Sequence, residues 1–282
     1  MADYRQIQSN IGRTFEKRVV FIVGATRWGC AWLQQALDAH PEIRCRGEGH
    51  FTDVLLPMLL KVFDRYNAQT EVFDKRLRAQ GLPGNQSGFT FEDVDFLMAT
   101  AIGLVFGRWA ADDRIKCIGD KTPEHVLALD LLTRAVPGAR VVHVIRDGRD
   151  EAASAWTFNT RVSTGEFPKR FPRIADFSEF FAKNWSKSVG AARRYGRGHR
   201  DTYFQFRCEQ LPKEGPAIVK RLCRFLGVND DAAWVQACVD TAWRQVPLDL
   251  PQGTWRKEFD AEARRGFLRQ AGQLLKLLDY ET

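Results

Sequence analysis

The chain has 282 residues, of which 44% are hydrophobic and 27% charged, with a formal net charge of +7. That length fills one α/β domain or at most two small ones, and the composition is that of a soluble globular protein. No apolar run approaches the roughly 20 residues of a bilayer span, and the N-terminal stretch lacks the apolar core of a signal peptide. No basic run carries the interleaved aromatics of a nucleic-acid groove either, so neither a membrane nor a nucleic acid is expected as partner.

The six cysteines are scattered, with no CxxC pair and no Cys/His metal spacing, which reads as a reduced, cytoplasmic protein without a metal site. The positive balance suits a polyanionic ligand, or equally a mildly basic solvated surface. Residues 1–17 read as a polar extension and 18–282 as a single domain. Val19 to Val23 form a run expected of a central parallel strand. Gly24 and Gly29 bracket a tight turn, after which Trp32, Leu33, Ala36 and Leu37 recur at helical spacing. Such a strand–turn–helix aims backbone N–H groups and the positive end of a helix dipole at one point, where phosphate is the usual guest. A nucleotide triphosphatase would carry Lys and a hydroxyl residue after the second glycine. Cys30 and Ala31 stand there instead, and the nearby cation is Arg27.

His40 to Phe51 reads as a short strand and loop, and Thr52 to Asp113 as mostly helical with a break around Gly81 to Gly88. A short strand is expected over Arg114 to Ile118, ending at GDKTPEH, then a helix over Val126 to Arg134. Ala139 to Ile145 is a second central-type strand that runs into RDGRDEAASAW at the start of a helix. Thr160 to Ile174 reads as a long loop, Phe177 to Tyr195 as a helix and Thr202 to Phe206 as a strand. Helices follow over Ala217 to Leu226, Asp230 to Ala242 and Ala261 to Leu278, the last preceded by GTWRKEF. Strands alternating with helices predict a three-layer α/β fold, a central mainly parallel sheet flanked by helices.

In such a sheet ligands sit beyond the carboxyl ends of the strands. Arg146 therefore emerges beside the first loop, with Ser154 facing it from the following helix, a good receptor for a terminal phosphate. A salt bridge to Asp147 or Asp150 is the equal alternative for Arg146. Two phosphate receptors on one sheet edge suggest a ligand with two separated phosphates, such as an adenosine 3′,5′-bisphosphate.

Together these segments resemble the sulfotransferases that use 3′-phosphoadenosine 5′-phosphosulfate (PAPS). GATRWGCAWL is similar to that family's phosphosulfate loop, VIRDGRDEAASAW to its 3′-phosphate motif and GDKTPEH to its G-E-K-T-P-x-Y segment. YFQFRCEQL resembles its x-x-R-Y-E-D-L strand, and GTWRKEF its closing segment. The resemblance runs in the family's order through most of the chain from Arg18 on. It implies a P-loop-like phosphosulfate-binding loop made by Gly24, Ala25, Thr26, Arg27, Trp28, Gly29, Cys30 and Ala31, with Arg27 on the phosphosulfate. It implies Trp32 stacked on adenine, where a core tryptophan is the rival reading. Arg146 and Ser154 fall on the 3′-phosphate ligands, and Arg256 and Lys257 on the closing segment that reaches that phosphate in some members; for Lys257 a solvated side chain is the stronger reading. Trp28, Cys30 and Ala31 replace hydroxyl residues of the family's loop, which weakens donor binding by roughly 1 kcal/mol or more per lost bond. Cys208 stands where a tyrosine precedes Glu209 in the family's strand.

For the base that takes the acceptor's proton, the resemblance implies Glu48, with His50 as rival and an ion pair of Glu48 with Arg44 or Arg46 as the structural alternative. Lys121 either faces the reaction centre and orders Glu48 or pairs with Asp120 or Glu124. The function implied is transfer of a sulfuryl group to a hydroxyl or amine of a small-molecule or glycan-like acceptor, with no metal. The alternatives are a P-loop nucleotide or nucleoside kinase and a sulfotransferase-fold binding protein that has lost the chemistry.

Overall fold

A computed structural model describes residues 3–24, 27–84, 88–109, 112–162, 165–246 and 252–281, with the backbone alone for residues 27 and 28. In chain order the elements begin α1 (Tyr4–Glu16), β1 (Arg18–Gly24), α2 (Arg27–Asp38), β2 (Ile43–Cys45), a π-helical turn (Phe51–Leu55), α3 (Leu56–Ala79) and α4 (Phe91–Gly107). They continue with β3 (Cys117–Lys121), a 3-10 turn (Pro123–Leu127), α5 (Leu129–Ala135), β4 (Arg140–Ile145), α6 (Gly148–Val162) and α7 (Glu166–Arg170). The last third holds α8 (Ile174–Gly198), β5 (Tyr203–Arg207), α9 (Leu211–Leu226), α10 (Ala232–Gln245), α11 (Trp255–Glu258) and α12 (Ala261–Leu277).

The strands form one sheet in the order β2-β3-β1-β4-β5, with every neighbouring pair parallel. The chain starts in the middle at β1, fills one side with β2 and β3, then crosses to β4 and β5, which makes the carboxyl end of β1 the switch point where ligands gather. Side chains alternate across the strand. Val20 and Ile22 join Trp32, Leu33, Ile218, Leu222 and Val239 beneath α2, α9 and α10. Val19, Phe21 and Val23 face Met98, Phe106, Leu132 and Ala192 of α4, α5 and α8. Each fully buried side chain of this kind contributes about 1.5–3 kcal/mol, so β1 is the best-anchored strand and a rigid base for the loop that follows it. A third cluster, including Ala152, Trp185 and Phe267, packs α6, α8 and α12 together.

The structure moves several boundaries. The strand expected at Arg114 to Ile118 is Cys117–Lys121, because β3 takes its register from β1, Arg18 opposite Cys117 through Ile22 opposite Lys121. Asp120 and Lys121 are thereby strand residues, buried despite their charge. The expected helix at Val126 to Arg134 is split at Ala128, outside helical geometry, into a 3-10 turn and α5. Thr160 to Ile174 is not one loop: α6 runs on to Val162, and α7 folds where Phe167, Phe171 and Phe177 pack edge to face beside Trp156. Residues 4–16 of the polar extension form a helix whose Ile11 and Phe15 lie against α4 at Gly103, where a side chain would leave too little room. Among the described residues no helix is long and apolar enough to cross a membrane.

Candidate functional site

β1 ends at Gly24, whose φ of +157° brings it so close to β4 that any β-carbon would collide with the carbonyl oxygen of Val144. The glycine is therefore required by the approach of two strands. Ala25 and Thr26, both expected in the phosphate loop, lie outside the described residues, as do the side chains of Arg27 and Trp28. The backbone from Arg27 on is α2, so its N-terminus does follow β1 within two residues, and Gly29 sits in its first turn. The next positions turn inward. Cys30 is fully buried, and burial pushes its thiol well above the usual range; Ala31 is half-buried. Trp32 is completely enclosed, meeting Trp243 at 5.2 Å edge to face. One expectation is thus corrected: Trp32 is fully enclosed, a core residue rather than an adenine platform, while the buried Cys30 side chain leaves only its backbone to the loop. Cys30 packs on the sheet side of α2 beside Gly24, and Trp32 on the side covered by Gly215 of α9 and Trp243 of α10, so apolar burial decides both.

Beside this loop β4 delivers Arg146. The register that pairs Gly24 with Val144 sets the two strand ends next to each other. Arg146 is 5% exposed. The carboxylates proposed as its salt-bridge partners are engaged elsewhere. Asp147 grips the Arg149 guanidinium with both oxygens, at 2.7 and 3.0 Å, and accepts the Arg149 N–H. Asp150 accepts the N–H groups of Gly253 and Trp255. Glu209 accepts the Asp147 N–H at 2.7 Å and the Tyr280 hydroxyl at 3.2 Å. Arg146 makes no ion pair or hydrogen bond among the described residues, and neither does the half-buried Ser154 hydroxyl. A nearly buried guanidinium costs several kcal/mol to desolvate unless an anion compensates it. Arg146 and Ser154 together can receive an anion that no hydrogen bond or ion pair of the described residues supplies.

On the other side of β1, β3 and the loop after β2 build a second cluster. Buried Asp120 accepts the Gly49 N–H at 2.7 Å and the Thr122 hydroxyl at 2.8 Å, and lies 3.4 Å from His125 Nε2. His125 Nδ1 in turn meets the Thr52 hydroxyl at 2.7 Å. These bonds pin the loop from both ends, and His50 takes a left-handed φ of +47°, uncommon for any residue but glycine. Between the pins Glu48 is presented to Lys121, whose ammonium donates to its Oε1. His50 Nε2 stands 3.3 Å from the other oxygen, and its Nδ1 is 2.7 Å from Asp53. The Lys121 bond holds the Glu48 carboxyl below its ordinary range, with a smaller push from His50, while Asp53 raises the imidazole. Arg46 turns to Asp38, not to Glu48. Of the alternatives for Lys121, ordering Glu48 is the one observed. His50, Asp53 and Glu124 also bring one potential ligand atom each within 4.8 Å of one another at the solvent edge.

The closing segment is placed differently from expectation. Arg256 stacks on Trp255 at 4.7 Å and pairs with Glu281, and Lys257 is exposed with no partner among the described residues. The structure shows neither of them in contact with Arg146 or Ser154. Sequence reasoning passed over Thr52, His125 and Tyr280, and took Asp120, Asp147 and Asp150 only as ion-pair partners of Lys121 and Arg146, roles they do not fill. Asp120 stands in the quoted GDKTPEH, so a signal existed for it; nothing local announces that Tyr280, 71 residues on, bonds Glu209.

A central parallel strand that feeds a helix through a glycine turn, beside an uncommitted arginine at the next strand end, defines an α/β protein able to hold a phosphorylated ligand on its sheet edge. The family model described as "Sulfotransferase family" matches residues 19–232, and the chain belongs to that family. Over 145 residues it is 27% identical to protein-tyrosine sulfotransferase 1 of Rattus norvegicus, which covers 51% of this chain and 35% of that protein. The chain thus spans well under two thirds of that relative's length. Among solved structures, sulfotransferase STF9 from Mycobacterium avium shares the fold with a TM-score of 0.57 at 15% identity, covering 99% of this chain and 81% of that one. Mouse sulfotransferase SULT7A1, complexed with PAP, gives 0.53 at 12% identity over 95% and 89% of the two chains.

Proposed function

We propose that this protein transfers a sulfuryl group from 3′-phosphoadenosine 5′-phosphosulfate to a hydroxyl or amine acceptor. The observation that carries the reading is Arg146, a nearly buried guanidinium at the end of β4, near which Asp147, Asp150 and Glu209 are each engaged elsewhere. With Ser154 it fits the terminal 3′-phosphate of such a donor, and the family neighbour solved with PAP agrees with that choice. The N-terminus of α2 offers its amide groups to the phosphosulfate end. Arg27 is assigned by its place in the loop motif: a fixed cation where negative charge grows on the departing bisphosphate.

The acceptor enters over Glu48. Its oxygen or nitrogen attacks sulfur in line with the leaving phosphate oxygen, and Glu48 takes the proton that the attacking atom gives up. Lys121 fixes one carboxylate oxygen and lowers the basicity of the group, while the other oxygen lies 3.3 Å from His50 Nε2. An exposed ridge of Val54, Met58, Val62 and Tyr66 continues from this loop along α3, so the approach to the base is lined by apolar groups. We infer a small-molecule or glycan-like hydroxyl compound as acceptor; a tyrosine side chain, the residue in the name of the curated relative, is the comparison to make.

Incubation with ³⁵S-labelled donor and a panel of phenols, tyrosine peptides, alcohols, sugars and amines tests the reading. Label transferred to at least one class, with release of the bisphosphate, is expected. Absence of transfer across the panel, together with Mg-dependent turnover of ATP, would replace it with the kinase alternative.

A further inference from the structure

The segment that starts at Gly253 is tied to the beginning of α6, and Asp150 is the tie. This carboxylate is 3% exposed; Oδ2 accepts the Gly253 N–H at 2.9 Å and Oδ1 the Trp255 N–H at 3.1 Å. Gly253 has a φ of +77°, the left-handed conformation that glycine adopts without strain, and this turn aims both amides at one carboxylate. A second contact supports the first. The Arg149 guanidinium, fixed bidentately by Asp147, lies 4.2 Å over the Trp255 ring. Both contacts originate within four residues of Arg146.

Burial raises the Asp150 carboxyl above its ordinary range, and the two amide bonds and, most weakly, the positive charge of Arg146 pull it back. A carboxylate in that position has two options. It can close on the guanidinium and neutralise it, or be held elsewhere and leave it for a ligand. With each oxygen occupied by a backbone amide, it is held elsewhere.

We propose that Asp150 is a positioning residue for the donor: it fixes the Gly253–Trp255 turn against the start of α6 and, being occupied there, keeps Arg146 open to phosphate. The proposal rests on the donor reading of Arg146. It makes a claim whose sign differs from simple electrostatics. Removing a negative charge next to an anion site should by itself tighten anion binding. Loosening the turn should weaken it, because an Asn side chain can accept from one of the two amides but meets the other with its own N–H groups.

The experiment is calorimetric titration with adenosine 3′,5′-bisphosphate of the wild type, Asp150→Asn and Gly253→Ala. The glycine variant alters no charge; it strains the left-handed turn and sets a β-carbon against the Arg256 side chain. It therefore isolates the tie from the charge, and it serves should Asp150→Asn fail to fold. Both variants are expected to bind about tenfold more weakly, to raise the donor KM with kcat preserved at saturating donor, and to be cut faster by trypsin after the exposed Arg256 and Lys257. Equal or tighter binding by Asp150→Asn, or an unchanged Kd in Gly253→Ala, overturns the proposal while the donor reading stands. No binding by the wild type overturns the donor reading, and the proposal with it.

Discussion

The two strand ends that flank β1 solve opposite problems. At the end of β4, Arg146 is nearly buried and makes no ion pair or hydrogen bond among the described residues, while Asp147, Asp150 and Glu209 are engaged by another arginine, backbone amides or a tyrosine. At the end of β3, Lys121 is nearly as buried but is closed by Glu48, which His50 and Asp53 extend into an alternating row of charges. The first end is unbalanced and gains from an incoming anion. The second is balanced within itself, so what it offers a substrate is a carboxylate of set orientation and basicity. An isolated charge binds; a compensated one is tuned.

The sharpest way to break this comparison is to remove the tuned group. Glu48→Gln is expected to lower kcat by about 10²–10⁴-fold, the range for a general base, while leaving affinity for the bisphosphate unchanged. A larger loss in His50→Gln than in Glu48→Gln would move the base to the imidazole. Next in size is Lys121→Met. Lys121 depresses the Glu48 pKa, so removing it raises that pKa. The carboxylate then protonates at higher pH, and the acid limb of the kcat/KM profile should move up in pH; near neutrality, where Glu48 is ionised either way, a loss of about tenfold is expected from the lost orientation of the carboxylate. An acid limb that stays in place would show that Lys121 acts only as scaffold. The smallest effect on function is expected from Trp32→Phe. Repacking against Trp243 should cost about 1–3 kcal/mol in a denaturant melt and leave bisphosphate affinity within twofold. A tenfold loss of affinity with an unchanged melt would restore the adenine role.

Much of this was legible in the chain. The run Val19 to Val23 is apolar on both faces, which only a strand covered on both sides requires, and the glycines after it mark the turn. The two strand ends that carry Arg146 and Lys121 were readable from order alone, because a parallel sheet sends its loops to one edge. What was not legible depends on long-range geometry. Trp32 has the spacing of a helix face, but whether that face meets ligand or core is decided by Trp243 and Gly215, contributed by α10 and α9. The start of β3 was misplaced because Asp120 and Lys121 look like loop residues until their partners, the Gly49 amide and Glu48, are known. Arg146 carried even odds for the same reason: its sequence neighbours Asp147 and Asp150 are natural partners, and only the positions of Arg149, Gly253 and Trp255 show them to be engaged.

The account turns on that arginine, and calorimetry of wild type against Arg146→Met with adenosine 3′,5′-bisphosphate tests it most directly. Loss of a guanidinium bound to phosphate through charge-assisted bonds of about 1.5–3 kcal/mol each should weaken micromolar binding by about 10²-fold or more. The same variant, relieved of an uncompensated buried charge, should melt no lower than the wild type. Equal affinity in the two proteins, or a melting point that collapses with Arg146→Met, would contradict the claim that this residue is held open for a ligand.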